Sequence, residues 1–269
     1  MAKYGMAIDL SKCVGCRTCM VACKTENGTP ASHFHMYTHR FSEGTYPDAK
    51  TRYLPRPCMH CENPPCVSVC PKKARISWKD GLVLTDVDLC EGVRVCESAC
   101  PYGANYFNVD EPKDAQYLDW DNADSKLEGM WPTWSPELSK EYNWDADPEK
   151  KANRRIAGSG YRKNTVGKCT FCVHRLEAGN TTTACQQACP AHAITFGDLD
   201  DATSEVSKAI TAAGSKVFKL KESAGTKPKV VYLGEAPAAN AVPVELVPLK
   251  KDVQKNGTPE LKNGTIPWK

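Results

Sequence analysis

The chain has 269 residues, a formal charge of +3 from 35 Lys and Arg against 32 Asp and Glu, and 15 cysteines. Its 25% charged and 41% hydrophobic residues are ordinary for a globular protein and argue against wholesale disorder. The near balance of charge excludes a dedicated nucleic-acid binder, and no run approaches the roughly 18 apolar residues needed to span a bilayer.

At the amino terminus, Met1 to Gly5 has no positive region followed by an apolar stretch, so no export signal of its own is expected. The first cysteine motif follows: Cys13, Cys16, Cys19 and Cys23, spaced C-x2-C-x2-C-x3-C. In bacterial ferredoxins three thiolates at this spacing wrap one cubane and the fourth reaches another. A structural zinc ion needs only two such pairs, so the third close cysteine has no obvious use in a zinc site. Met20, Val21 and Ala22 suit a short helix. His33, His35 and His39 stand in a polar stretch and are read as surface or interface residues rather than as a metal site.

The second motif, PCMHCENPPCVSVCP, carries Cys58, Cys61, Cys66 and Cys70, with Pro64 and Pro65 stiffening a longer approach to the third ligand. A hairpin is predicted next, from Ala74 to Trp78 and from Leu82 to Thr85 around the turn Lys79-Asp80-Gly81. The third motif, DLCEGVRVCESACP, carries Cys90, Cys96 and Cys100, and puts Val93 three residues after Cys90 and three before Cys96, where another ligand is expected. Valine cannot bind iron. An oxygen or nitrogen donor from elsewhere could complete a four-iron cluster, or the site could be degenerate and empty. The preferred reading is a [3Fe-4S] cluster on three thiolates, with apolar Val93 shielding the vacant vertex. Losing an iron and a thiolate changes net cluster charge and raises the potential, which makes this the chain's most oxidising centre.

Glu97, Ser98 and Ala99 suit a helix, and Ala104 to Val109 a strand. Between Asp110 and Glu149 lie twelve acidic residues against three lysines, with Trp120, Trp131, Trp134 and Trp144. From Lys150 to Arg175 there are eight basic residues and no acid. This insertion is either a solvated excursion anchored by its tryptophans or a docking surface, since Trp is favoured at interface centres. The basic stretch leads into the fourth motif, Cys169, Cys172, Cys185 and Cys189, and favours added electron density on its cluster. The long gap after Cys172 is cheap, because loop-closure cost rises only logarithmically with length. Gln186, Gln187 and Ala188 suit a helix and Ala193 to Gly197 a strand. His60, His174 and His192, inside ligand loops, are expected to pack or to hydrogen-bond cluster sulfur rather than ligate. The last segment, from Ala236 to Lys269, has little periodicity and reads as an extended tail.

An odd number of cysteines in a chain this long argues against a disulfide framework. Proline follows the last cysteine of three motifs, Cys70, Cys100 and Cys189, as in ferredoxins, and of the four last cysteines only Cys23 lacks it. No cysteine lies outside a motif. The fold class that follows is α+β, with two ferredoxin-like units of the bacterial 2×[4Fe-4S] type related by a pseudo-twofold duplication. Unit A takes 1–57 and 166–200, and unit B takes 58–110. A Trp-rich charged insertion occupies 111–165, a helix and strand extension 201–235, and the tail 236–269.

The four motifs in this order, with FGDLDDATSEVSKAI after the last, resemble the four-cluster ferredoxin-type β subunit of the molybdopterin oxidoreductases. Polysulfide, thiosulfate, tetrathionate, arsenate, dimethyl sulfoxide and nitrate reductases and ethylbenzene dehydrogenase have such subunits. The resemblance covers roughly residues 4–110 and 166–235, and implies crossed ligation. Cys13, Cys16 and Cys19 with Cys189 would hold one cluster, and Cys169, Cys172 and Cys185 with Cys23 its neighbour. Cys58, Cys61 and Cys66 with Cys100 would hold a third, leaving Cys70, Cys90 and Cys96 for the fourth. The implied cofactors are three [4Fe-4S] clusters and one [3Fe-4S] cluster, with a molybdenum or tungsten bis-pterin in the partner chain only. Some relatives place tryptophan where Val93 stands, and carry a [3Fe-4S] centre at the membrane or haem end.

The expected role is electron transfer between a large molybdopterin catalytic subunit and a membrane anchor or cytochrome subunit. No nucleophile with a paired base and no phosphate-binding glycine loop stands out. By the pattern of exported relatives, the protein would reach the outer face of the cytoplasmic membrane with a partner bearing a twin-arginine signal; a cytoplasmic location is the alternative. A cytoplasmic formate dehydrogenase or hydrogenase subunit is the second functional reading, and a zinc or disulfide module the third.

Overall fold

The computed structural model describes residues 2–29, 33–108, 163–238 and 240–244. Nearly all of the expected insertion and most of the tail lie outside the described residues. In chain order the elements are β1 (Tyr4–Asp9), α1 (Thr18–Glu26), β2 (Tyr37–Glu43), β3 (Lys50–Arg56), α2 (Pro65–Ser68), β4 (Arg75–Ser77) and β5 (Val83–Thr85). There follow α3 (Val95–Ala99), β6 (Tyr106–Phe107), β7 (Val166–Gly167), α4 (Val173–Glu177), α5 (Ala184–Gln187) and β8 (Ile194–Asp198). The last are α6 (Glu205–Ala213), β9 (Val217–Phe218), β10 (Val230–Leu233) and β11 (Val242–Pro243).

The continuous apolar run Met6-Ala7-Ile8 marks a strand buried on both faces, and β1 lies inside a four-stranded sheet of order β8-β1-β10-β9. It pairs antiparallel with β8 and parallel with β10. Alternate side chains divide between the faces. Ala7, Val231 and Leu233 meet Val206 of α6 on one side, while Met6, Ile8, Val230 and Tyr232 join the main core on the other. Helix α6 begins at Ser204, whose hydroxyl accepts from the Ser207 amide, a favoured cap that satisfies a free backbone donor. The 201–235 segment therefore supplies a central strand of the sheet.

The 74–85 hairpin forms with β4 and β5 in the register Arg75↔Thr85. The expected helices lie within α1 and α3; the third, α5, ends at Gln187, one residue before Ala188. Of the strand expected from Ala104, only Tyr106 and Phe107 pair, with β7, which closes a stem from which the 109–162 segment departs and returns. β11 of the tail pairs with β2, itself hairpinned to β3. The short helices pack in twos, α1 on α5 and α2 on α3.

The motifs also share backbone turns. Lys73, Gly103 and His192, each three residues after a Cys-Pro cysteine, all have positive φ. Each donates its amide to the carbonyl of that cysteine, at 3.1 to 3.2 Å. Gly15 (φ 70°) and Gly92 (φ 65°), each just before the second ligand position of its motif, turn the same way, as do Arg17 and Arg94 just after it. At both glycines a side chain is also excluded by contact: a Cβ would meet the Tyr53 ring at 2.3 Å or the Asn164 carbonyl oxygen at 2.2 Å.

Candidate metal centres

Helix α1 presents Cys19 and Cys23 one turn apart, so they point to the same side at successive levels. The loop before it, turned by Gly15 and Arg17, brings Cys13 and Cys16 to the Cys19 end. Burial pushes the Cys19 thiol up to about 11; Thr38 at 3.5 Å opposes the shift, and neighbouring Cys13, Cys189 and Cys16 add to it. Cys189, distant in sequence, therefore joins the first motif. Cys23 is raised well above its ordinary value by burial, and next by the proximity of Cys169, Cys172 and Cys185. Burial likewise lifts Cys61 to about 12, and the nearby thiols of Cys58, Cys100 and Cys66 add to the rise.

Cys70, Cys90 and Cys96 line one pocket together with Val93, Arg75 and Val166. Its loop repeats the backbone of the first motif, which sets Val93 at the place Cys16 holds there. Val93 is 51% exposed, so it covers this corner from the solvent side without being enclosed.

The surroundings fit anionic iron-sulfur clusters. All fifteen cysteines are free thiols. Backbone amides donate to sulfur at Cys169 (from Phe171, 3.4 Å), Cys172 (from Ala184, 3.5 Å), Cys189 (from Ala193, 3.3 Å) and Cys100 (from Ala104, 3.5 Å). Side chains do so at Cys16 (Thr18, 3.4 Å), Cys23 (Asn27, 3.4 Å) and Cys96 (Arg75, 3.6 Å). Such donors stabilise thiolate. Buried cations stand among the thiols. Lys168 donates to the carbonyls of Val83 and Cys169, and Arg56 to His39, the Tyr102 carbonyl and Tyr106. Unpaired buried charge is costly, and anionic clusters on the surrounding thiols would supply a counter-charge here.

The three histidines expected at the surface or an interface are buried within the chain: His33, His35 and His39 are 1%, 5% and 7% exposed. His33 and His35 pack on the Tyr106 ring, and His39 Nε2 accepts from Arg56 at 3.0 Å. Burial lowers His35 to about 3 and His39 well below the usual imidazole value, so both are neutral. The alternation from His35 through Tyr37 and His39 to Phe41 was the available clue, since alternate residues of a strand share a face. Of the ligand-loop histidines, His60 stacks on Phe171 at 3.9 Å, accepts from the Val83 amide and donates to the Cys169 carbonyl, with backbone rather than sulfur as partner. His192 lies exposed on its Cys-Pro turn.

His174 belongs to a clamp that the motifs did not reveal. Glu26, at the end of α1, takes Arg175 with both carboxylate oxygens, at 2.5 and 2.6 Å, and His174 at 2.7 Å. Arg175 also donates to Gln187 of α5 at 2.7 Å. The first and fourth motifs are thereby tied together around Cys23, Cys172 and Cys185. Although burial opposes it, these bonds hold the Glu26 carboxyl down at about 2.

Two family models, each described as a 4Fe-4S dicluster domain, match residues 6–74 and 49–116. The iron-sulfur subunit of arsenate respiratory reductase from Shewanella sp. strain ANA-3 is 41% identical over 232 residues, covering 86% of this chain and 96% of that one. A selenate reductase subunit of Mesobacillus selenatarsenatis is 37% identical, over 85% of this chain and 70% of its own. A polysulfide reductase chain of Wolinella succinogenes is 33% identical, over 85% and 92%. With two matches to 4Fe-4S dicluster domains and similarity along nearly the whole length of such relatives, the protein belongs to the ferredoxin-type iron-sulfur subunits of the molybdopterin oxidoreductases.

Proposed function

We propose that this chain relays single electrons through four iron-sulfur clusters, between a molybdenum or tungsten bis-pterin catalytic subunit and a membrane quinone-reactive or haem subunit. The observation that carries the reading is the crossing of thiols between motifs, with Cys189 beside Cys13, Cys16 and Cys19, and Cys23 beside Cys169, Cys172 and Cys185. These two sets are the ligands of two [4Fe-4S] clusters, and Cys58, Cys61, Cys66 and Cys100 those of a third. Cys70, Cys90 and Cys96 hold the fourth, a [3Fe-4S] centre with Val93 at the missing ligand. Iron-sulfur clusters supply one-electron chemistry without protons or bond rearrangement.

The residues of the chain fix spacing and environment. Because Cys19 and Cys23 lie four residues apart on α1, about 6 Å of helix rise separates ligands of adjacent centres. Amide and side-chain donors at sulfur, together with buried lysine and arginine, favour added electron density. The packing of α1 on α5 and of α2 on α3 supports two ferredoxin-like units in pseudo-twofold relation, 1–57 with 166–200 and 58–110, and 201–235 extends the first. The chain works on the outer face of the cytoplasmic membrane, co-exported with its catalytic partner.

The test is metal and sulfide analysis of the purified complex, with EPR before and after dithionite. Molybdenum or tungsten without nickel, plus signals from four centres, is expected. A colourless protein with zinc and no acid-labile sulfide would overturn the reading.

A further inference from the structure

Arg75 is buried to 3% exposure on β4, and Nη2 of its guanidinium donates to Cys96 Sγ at 3.6 Å and to the Val166 carbonyl at 3.1 Å. Its other terminal nitrogen, Nη1, is buried without a hydrogen-bond partner, and among the described residues no carboxylate pairs with it. A fixed guanidinium charge in that state needs a counter-charge nearby. The side chain lines the pocket that Cys70, Cys90 and Cys96 share, so the cluster those thiols would hold offers one, and Cys66 of the neighbouring thiol set also lies within reach of its charge.

The repeat supplies an internal comparison. Arg75 is the fifth residue after Cys70, and the same place after Cys189 and Cys100 is taken by Ile194 and Asn105. Ile194 is buried and apolar, and Asn105 is neutral and bonds the Cys96 carbonyl at 2.8 Å. One turn geometry thus carries a full positive charge at a single place, beside the motif that lacks a fourth thiolate.

We infer that Arg75 sets the reduction potential of the centre held by Cys70, Cys90 and Cys96, stabilising its reduced form through its charge and its N–H···S bond. It acts through the cluster environment and is a tuning residue, not a ligand. Adding an electron to the centre increases its negative charge, so a cation fixed at a ligand sulfur favours reduction. The inference rests on the proposed ligand set, but not on whether the centre has three irons or four.

The experiment is an EPR-monitored redox titration of the purified complex carrying Arg75→Gln or Arg75→Lys, with iron counted on the same samples. Arg75→Gln, which removes the charge, is expected to lower the reduction equilibrium of this centre at least tenfold, about 59 mV for a one-electron couple. Arg75→Lys should stay within threefold of the parent, and the centre of Cys13, Cys16, Cys19 and Cys189 should not move in either variant. A Gln variant with full iron and an unmoved potential overturns the inference, as does an equal fall in both variants. If the Gln variant does not retain the centre, the parent complex with 15N-labelled arginine decides. Nitrogen hyperfine coupling to this centre in ENDOR is expected, and its absence refutes the contact. An iron count short of a fourth centre in the parent would instead show that the ligand assignment itself had failed.

Discussion

The loop of Cys13, Cys16 and Cys19 and the loop of Cys90, Val93 and Cys96 have nearly the same backbone and different chemistry. Gly15 and Gly92 turn alike, Arg17 and Arg94 turn alike, and a helix with the third position on its first turn follows each. What differs is one atom type at the exposed second position, sulfur in Cys16 and carbon in Val93, and the charge at a buried distance, Ile194 against Arg75. The scaffold of such a centre is therefore separable from its ligand set. Backbone turns and glycine contacts build the loop, and its shape persists where valine stands in place of cysteine.

The largest effect should come from making the first loop resemble the third. Cys16→Val is expected to convert the centre of Cys13, Cys19 and Cys189 to a three-iron form, about doubling the [3Fe-4S] signal of the oxidised complex. An unchanged spin count would show that the second position does not decide cluster type. Next is the clamp, which the third loop lacks. Glu26→Ala leaves Arg175 without its bidentate partner and should cost about 3 kcal/mol, seen as a lower temperature for loss of cluster absorbance.

The same carboxylate predicts a pH dependence. Glu26 titrates near 2 in the folded chain and near 4.5 otherwise, so its contribution is fully present above about pH 4.5 and fades as pH falls toward 2. The difference in thermal midpoint between the parent and Glu26→Gln should follow that course; a difference that grows on acidification would contradict it.

Smaller effects separate the two glycines. Gly92→Ala should cost about 2 kcal/mol, because its Cβ meets the fixed Asn164 carbonyl as well as requiring positive φ. Gly15→Ala should cost less, since the Tyr53 ring opposite it can shift; equal thermal losses would show that backbone strain alone matters. Smallest is Asn27→Leu, which removes one donor from Cys23 sulfur and should lower the reduction equilibrium of that centre about threefold, measurable by redox titration.

Much of this was legible in the sequence where chemistry is local. Cysteine spacing, Cys-Pro turns and the Lys79-Asp80-Gly81 hairpin are short-range features, and the structure reproduces the hairpin with β4 and β5. What stayed hidden depends on pairings across the chain. β10 slots in parallel beside β1 from more than two hundred residues away, and no local pattern announces such a neighbour. The buried histidines looked polar because neutral imidazole packing against Tyr106 cannot be told from solvent exposure by composition. The Glu26–Arg175 pair and Arg75 escaped for a related reason. A charged residue reads as surface until its partners are placed, and only the fold brings Arg75 to the Cys96 sulfur and Glu26 to Arg175.

The central claim is that Val93 sits at a ligand position and leaves its centre one iron short. Its most direct test is EPR of the air-oxidised complex, parent against Val93→Cys. The account predicts a [3Fe-4S] signal in the parent that disappears in Val93→Cys, where a fourth thiolate completes the cubane. A parent without that signal, or a Val93→Cys complex that keeps it undiminished, would contradict the account.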